Sequence, residues 1–548
     1  MKFIMKVFVA AIYLLSCATV ISQNFTRQDT LRGSITPQRS GWDLQYYHLD
    51  IEVKPEEKYI SGKNTIRYKV VSPFREMQID LQEPMKIDKV IQNGKELEFR
   101  REGSAYFISL KKKQKKNKIE EITVFYSGHP HIAKNAPWDG GIVFKKDENG
   151  NHFIASACQG IGASIWWPNK DHPYDEPNQG MDISVKVPEN LVNVSNGRLL
   201  KTDENGDGTK TWHWRVTHPI NNYGVNINIG DYVHFGEKYE GENGILDMDY
   251  WVLRHNLHKA KLQFRDARRT LEALEHWFGP YPFYEDSYKL VEVPYLGMEH
   301  QSSVTYGNKY KKGYLGTDLS GTGWGLKFDF IIIHESGHEW FANNITNSDV
   351  ADMWLHEGFT CYSESLFVEY FYGKEAGAEY VTGLQKNIHN DRPLIANYNV
   401  NKRGSGDMYY KGANILHTLR QLVEDDELWR SILRGLNKDF YHQTVSSQQV
   451  EKYFSEKTGK DLTAFFDQYL RTKDLPELNM FVNEKSIIYK YKNTVPGFDM
   501  PVKAYINEKT VWLYPESDTW VEMVFDESLQ YVEIDNNFLV KLNFDPEY

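Results

Sequence analysis

Ile331-Ile-Ile-His334-Glu335-Ser-Gly-His338-Glu-Trp-Phe-Ala-Asn-Asn-Ile345 is the stretch that organises the reading of the whole chain. Its pattern predicts a helix, and residues four apart on a helix lie one turn apart on the same face. His334 and His338 can therefore reach one metal ion, with Glu335 beside them as a base. The apolar run Ile331–Ile333 suits a buried helix that excludes water.

A third ligand follows downstream. Glu357, in Trp354-Leu-His-Glu357-Gly-Phe359, falls on a second helix-like stretch, with 18 residues between it and His338. Two His and one Glu leave a fourth position open on Zn²⁺, the pattern of catalytic rather than structural sites. One zinc ion per chain is expected. His356 would point about 100° away from Glu357 on a helix and is not expected to bind. Cys361, one turn after Glu357, reads as a buried inert thiol. Glu364, two turns on, is a candidate partner for a ligand histidine.

Outward from these helices the periodicity changes. Residues from about 40 to 235 alternate with period two, as in Tyr46–Val53 and Asp182–Val187, and read as all-β. Asp203-Glu-Asn-Gly-Asp-Gly208 resembles a calcium loop, but Trp214 stands where a bidentate Glu is required, so a hairpin turn is expected. The basic run Lys111–Lys118 reads as a solvated hairpin tip. Leu257–Phe278 predicts one long amphipathic helix stopped by Gly279-Pro280. Helical patterns dominate from about 327 to 470, and Ser446-x-x-Gln449 is a capping box. From Ile487 onward the pattern is strand-like again. The expected fold is multi-domain α+β: a signal segment at 1–22, a β domain at 23–237, a mostly helical catalytic domain at 238–475 and a small β-sandwich at 476–548.

Composition narrows the function. The chain has 548 residues and a net charge of −11, which argues against holding a nucleic-acid backbone by bulk electrostatics. Three cysteines exclude a disulfide framework. Lys2 and Lys6 precede the apolar stretch Val7–Ile21 and then Ser22-Gln23, the pattern of a secretory signal. The stretch is shorter than the ~20 residues of a spanning helix. An exported protein, periplasmic or extracellular, without a membrane span in its mature form is expected. Leu14-Leu15-Ser16-Cys17 loosely resembles a lipobox, so a lipoprotein anchored at Cys17 is the alternative. Asn24, Asn193 and Asn344 head Asn-x-Ser/Thr sites.

Several motifs together resemble the M1 zinc aminopeptidases, or gluzincins: Phe278-Gly-Pro-Tyr-Pro-Phe283, Gly297-Met-Glu-His300, His334–Trp340, Trp354–Phe359, Tyr409-Tyr-Lys-Gly412 and Phe465–Arg471. The resemblance implies an N-terminal β saddle, a thermolysin-like catalytic domain and a small C-terminal sandwich, without the large helical domain many members add. It implies that His334, His338 and Glu357 bind zinc. Glu335 would take a proton from the attacking water and return it to the leaving amine. Tyr409 would stabilise the oxyanion, with the adjacent Tyr410 as its rival. Glu299 would hold the substrate's α-amino group, with Gln159 nearby, and Leu296, Gly297 and Met298 would pair with the peptide backbone. Gln159, Tyr295 and the segment around Trp166 are expected at the first side-chain pocket. Substrates would be peptides with a free N-terminus. A zinc endopeptidase, an epoxide hydrolase on the same scaffold and a non-catalytic peptide-binding protein are the alternatives. His300 and His356 stand where the family usually has Asn, and Ser164 where an Arg is common.

Overall fold

The computed structural model describes residues 25–544. The expected signal segment, Cys17 and Asn24 lie outside the described residues.

Alternating burial along Trp42–Lys54 and Tyr59–Val70 pairs these strands at the centre of a ten-stranded sheet. Trp42–Lys54 runs parallel to Met181–Pro188 on its other side. A second sheet of four strands includes Gly141–Lys146 and His152–Ala157. The sheets share a core in which Trp42, Trp166 and Trp167 are fully buried. Asp203–Gly208 is the expected hairpin turn, joining Arg198–Glu204 to Thr209–Val216. The Lys111–Lys118 run is not a hairpin tip. The flanking strands Ala105–Ser109 and Ile119–Gly128 are not partners, because the latter pairs with Tyr59–Val70 and Lys86–Gln92. The run is a crossover, tied down where Gln114 turns inward and accepts a hydrogen bond from Tyr68 at 3.3 Å.

The hairpin Tyr232–Gly241 and Gly244–Leu253 opens a five-stranded sheet. Tyr288–Glu292 and Val304–Tyr306 extend it in parallel, and the two-residue strand Gly297–Met298 closes it as an antiparallel edge. The helix expected over 257–278 is two helices, Leu257–Gln263 and α1 (Arg265–Phe278). The break at Phe264 turns its ring into a cluster with Tyr250, Tyr306 and Tyr310. That aromatic packing outweighs helical continuity. Three more helices frame the site: α2 (Phe330–Gly337), α3 (Trp354–Tyr372) and α4 (Tyr410–Val423). Ser446 and Gln449 form the expected capping box.

From Glu477 the chain forms a four-stranded and a three-stranded sheet, and Leu478, Tyr489 and Phe538 join the same core as the helices. Among the described residues, no helix is long and apolar enough to cross a membrane.

Candidate active site

Asp329 starts the decisive helix. Its carboxylate accepts from the Ile331 and Ile332 amides at 3.1 and 3.4 Å, satisfying donors the first turn leaves free. Every residue of α2 is buried. The regular helix ends at Gly337, but His338 keeps helical angles (φ −64°, ψ −16°), so both imidazoles stay on one face.

Each histidine has one nitrogen committed. His334 Nδ1 donates to Glu364 Oε1 at 2.8 Å, and the other Glu364 oxygen accepts from Tyr380 at 2.6 Å. His338 Nδ1 donates to the Phe341 carbonyl at 2.9 Å, with Thr360 Oγ1 at 3.0 Å. Both Nε2 lone pairs then face Glu357 Oε2, at 3.7 and 3.3 Å. That oxygen is buried and has no hydrogen-bond partner, whereas Oε1 accepts from Gln159 at 2.9 Å. A buried carboxylate oxygen opposite two lone pairs lacks a cation, since buried polar atoms are otherwise paired. Ligand atoms of the three residues lie within 4.8 Å of one another, which fits zinc. Glu299, Glu335 and His338 also converge, but Gln159 already occupies Glu299 Oε1.

Burial would lift the Glu357 carboxyl, yet His338 and His334 facing it override that and hold it well below the usual range. Burial raises Glu335 to about 8 against the pull of His334. Burial also raises Glu299, opposed by His338 and reinforced by Glu357. Gln159 Nε2 donates to Glu299 Oε1 at 2.7 Å and to Glu357, so one amide bridges the two carboxylates.

Gly297 is required on the edge strand. A Cβ there would lie 2.6 Å from Ile331 Cγ2 and 3.2 Å from Glu335 Oε1, so only glycine lets the strand lie against α2. Tyr409 sits just before α4 and stacks on the His334 ring at 6.0 Å. Burial, then the Glu357 charge, pushes its phenol well above the usual range, so it remains a donor. Tyr410 lies instead toward Cys361 and Glu364.

These groups, with Met298, line a cleft of about 440 Å³. Tyr295 and Trp166 do not. Tyr295 donates to the Ser156 carbonyl at 2.7 Å behind the edge strand, and Trp166 is fully buried in the N-terminal core. The cleft gains instead Trp138, Tyr314, Phe330 and Arg403, which no local pattern signals. His300 is fully buried, and burial lowers it to about 3, so the ring is neutral. His356 is no ligand: its Nε2 accepts from the Asn347 amide at 2.8 Å. Cys361 is buried and its thiol raised well above the usual range. Ser164 donates to Asp171. Asn193 and Asn344 are buried, so neither sequon is available in the folded chain.

A model of the peptidase M1 N-terminal domain matches residues 44–223, and one of the peptidase family M1 domain matches 263–469. The chain belongs to peptidase family M1. The second match spans the whole M1 metal site described above. A leucyl aminopeptidase of Saccharolobus solfataricus is 22% identical over 83% of this chain and 58% of its own length. Endoplasmic reticulum aminopeptidase 1 of Mus musculus is 26% identical over 50% of this chain and 30% of its own. This M1 chain thus spans less than two thirds of the curated relatives it matches. An M1 zinc metallopeptidase of Deinococcus radiodurans shares the fold at a TM-score of 0.67 and 22% identity, covering 80% of this chain and 95% of that one. A mutant of that protein was solved with a Tyr-Ser-Ala substrate, at a TM-score of 0.68 and 21% identity, covering 81% and 98%.

Proposed function

We propose that the protein is a zinc-dependent aminopeptidase that removes the N-terminal residue of peptides. The observation that carries this reading is the Gln159 bridge, which puts Glu299 one amide away from the metal-ligand oxygen pair of Glu357. An exopeptidase must measure one residue from the chain end. A buried carboxylate facing the substrate's ammonium does so by a charge-assisted hydrogen bond.

Zinc held by His334, His338 and Glu357 would supply Lewis acidity and a water with pKa near 7. Glu335 accepts the proton of the attacking water and delivers it to the leaving amine. Tyr409 donates to the developing oxyanion, an interaction worth roughly 3–4 kcal/mol in comparable sites. The edge strand Gly297–Met298 has a free side along which a peptide backbone can pair.

Export belongs to the same proposal and rests on the pattern of Met1–Ser22. The two C-terminal sheets are read as a small sandwich. A panel of aminoacyl-coumarin substrates, with and without a zinc chelator, tests the reading. Chelator-sensitive turnover with rejection of N-acetylated peptides is expected. Acceptance of acetylated peptides would make it an endopeptidase, and full turnover in metal-free protein would sink the proposal.

A further inference from the structure

The cleft continues past its edge strand. A second hollow of about 520 Å³ adjoins it. Segments 136–138, 295–297 and 314–315 supply walls to both, and Trp138 and Leu296 face both. Trp138 is 59% exposed, an unusual place for a tryptophan unless something packs on it.

Strand direction decides what enters this hollow. A peptide whose amine sits at Glu299 can pair with the edge strand in two senses. The parallel sense leads toward His300–Ser303, all fully buried, and is blocked. The antiparallel sense runs back from Met298 through Gly297 to Leu296, where the second hollow opens. At about 3.3 Å per residue, the first three residues occupy the edge strand and the next two reach the hollow.

Charge is arranged along the same line. Glu299, Glu335, Glu357 and Glu364 line the amine end. Lys145, Lys259 and Lys309, all exposed, line the far end. The two acids of that hollow are already engaged. Glu292 accepts from the Leu253 amide and Asn256 at 2.8 and 2.7 Å, and Glu148 pairs with His255 at 3.3 Å. Lys145 and Lys259 each donate one bond, to the Pro294 carbonyl and to Asn256, leaving ammonium hydrogens free.

The wall is held rigidly. Lys309, Tyr310 and Leu315 adopt φ of +55°, +57° and +53°, a region costly for bulky side chains. The Tyr310 amide donates to the Tyr306 hydroxyl and the Leu315 amide to Asn308 Oδ1, at 2.9 and 2.8 Å. Tyr306 and Asn308 both donate to Asp329, the residue that caps α2.

We propose that this second hollow is the subsite for the fourth and fifth residues of the peptide, with Trp138 packing on the chain as it crosses and the lysines receiving a carboxylate. The substrates are then free oligopeptides of about four to six residues, whose ammonium-to-carboxylate polarity matches the trench. This inference rests on the aminopeptidase reading and names its substrate class.

The test uses zinc-loaded protein and peptides of two to seven residues sharing one N-terminal sequence. First-residue release is expected to gain about tenfold in kcat/KM between three and five residues, and to lose most of that gain when the C-terminus is amidated. Trp138→Ala should cut the gain, and the double variant Lys145→Ala/Lys309→Ala, whose lysines lie outside the catalytic cleft, should abolish it while its own dipeptide turnover stays within about twofold. Lys145→Arg/Lys309→Arg should restore it. An amidated pentapeptide with Glu at position four or five separates a side-chain carboxylate from the terminal one, since regained turnover assigns the side chain. A flat length dependence, or a gain that survives both variants, overturns the proposal. Calorimetric titration of the pentapeptide into Glu335→Gln, with and without Trp138→Ala, decides the hollow independently of turnover. Equal affinities would overturn it. Absence of turnover on every peptide would instead sink the aminopeptidase reading.

Discussion

The wall that carries the candidate metal ligands and the wall that faces it across the cleft are built by different means. On α2 and α3, helical spacing places His334, His338, Glu357 and Glu364, and each outward nitrogen is committed to a partner within the catalytic region. On the facing wall, Glu299 comes from the end of a sheet edge, Gln159 from an N-terminal loop and Trp138 from another. The Gln159 amide spans 140 positions of sequence to Glu299 within that wall and 198 positions to Glu357 across the cleft. One wall is a product of local geometry, and the other exists only once the N-terminal sheet domain has docked.

That contrast gives ordered expectations. His338→Ala should break the helical wall outright, with zinc absent by metal analysis and turnover lost by about a thousandfold or more. Glu335→Gln should retain zinc and lower kcat by about 10²–10⁴-fold, because proton transfer alone is removed. Glu299→Ala should keep zinc and cost about a hundredfold in kcat/KM on free-amine substrates, the worth of a charge-assisted bond. If Glu299→Ala cleaves Ala-p-nitroanilide at the parental rate, the facing wall does not anchor the amine. Glu364→Ala should weaken zinc affinity by about 10–100-fold in a competition titration, since His334 loses the carboxylate that orients it. Gln159→Ala should be mildest, about tenfold in kcat/KM with zinc retained. Zinc loss in Gln159→Ala would blur the division between the walls.

The same contrast explains what could be read beforehand. The i, i+4 spacing of His334 and His338 fixes their geometry wherever the helix goes, so the convergence of these two rings was legible. Glu364 was legible as a candidate for the same reason. Trp138, Tyr314 and Arg403 were not, because their position depends on how distant segments pack. Tyr295 is expected at the first side-chain pocket, but its hydroxyl bonds to the Ser156 carbonyl and lies beside Thr305, which holds the ring behind the strand. The Lys111–Lys118 run was misread because strand order in the ten-stranded sheet departs from chain order. The helix expected over 257–278 failed at Phe264 because periodicity cannot see an aromatic cluster that claims one ring.

Asp329 has a further consequence. One carboxylate serves as the cap of α2 and as the anchor of the 308–315 loop. These two parts are therefore not interchangeable modules. Grafting a foreign loop over 306–315 would take the Tyr306 and Asn308 donors away from Asp329, and the damage would surface along α2, which carries His334. A designer who wants to change the accepted peptide length should begin at Trp138 and leave the Asp329 junction as inherited.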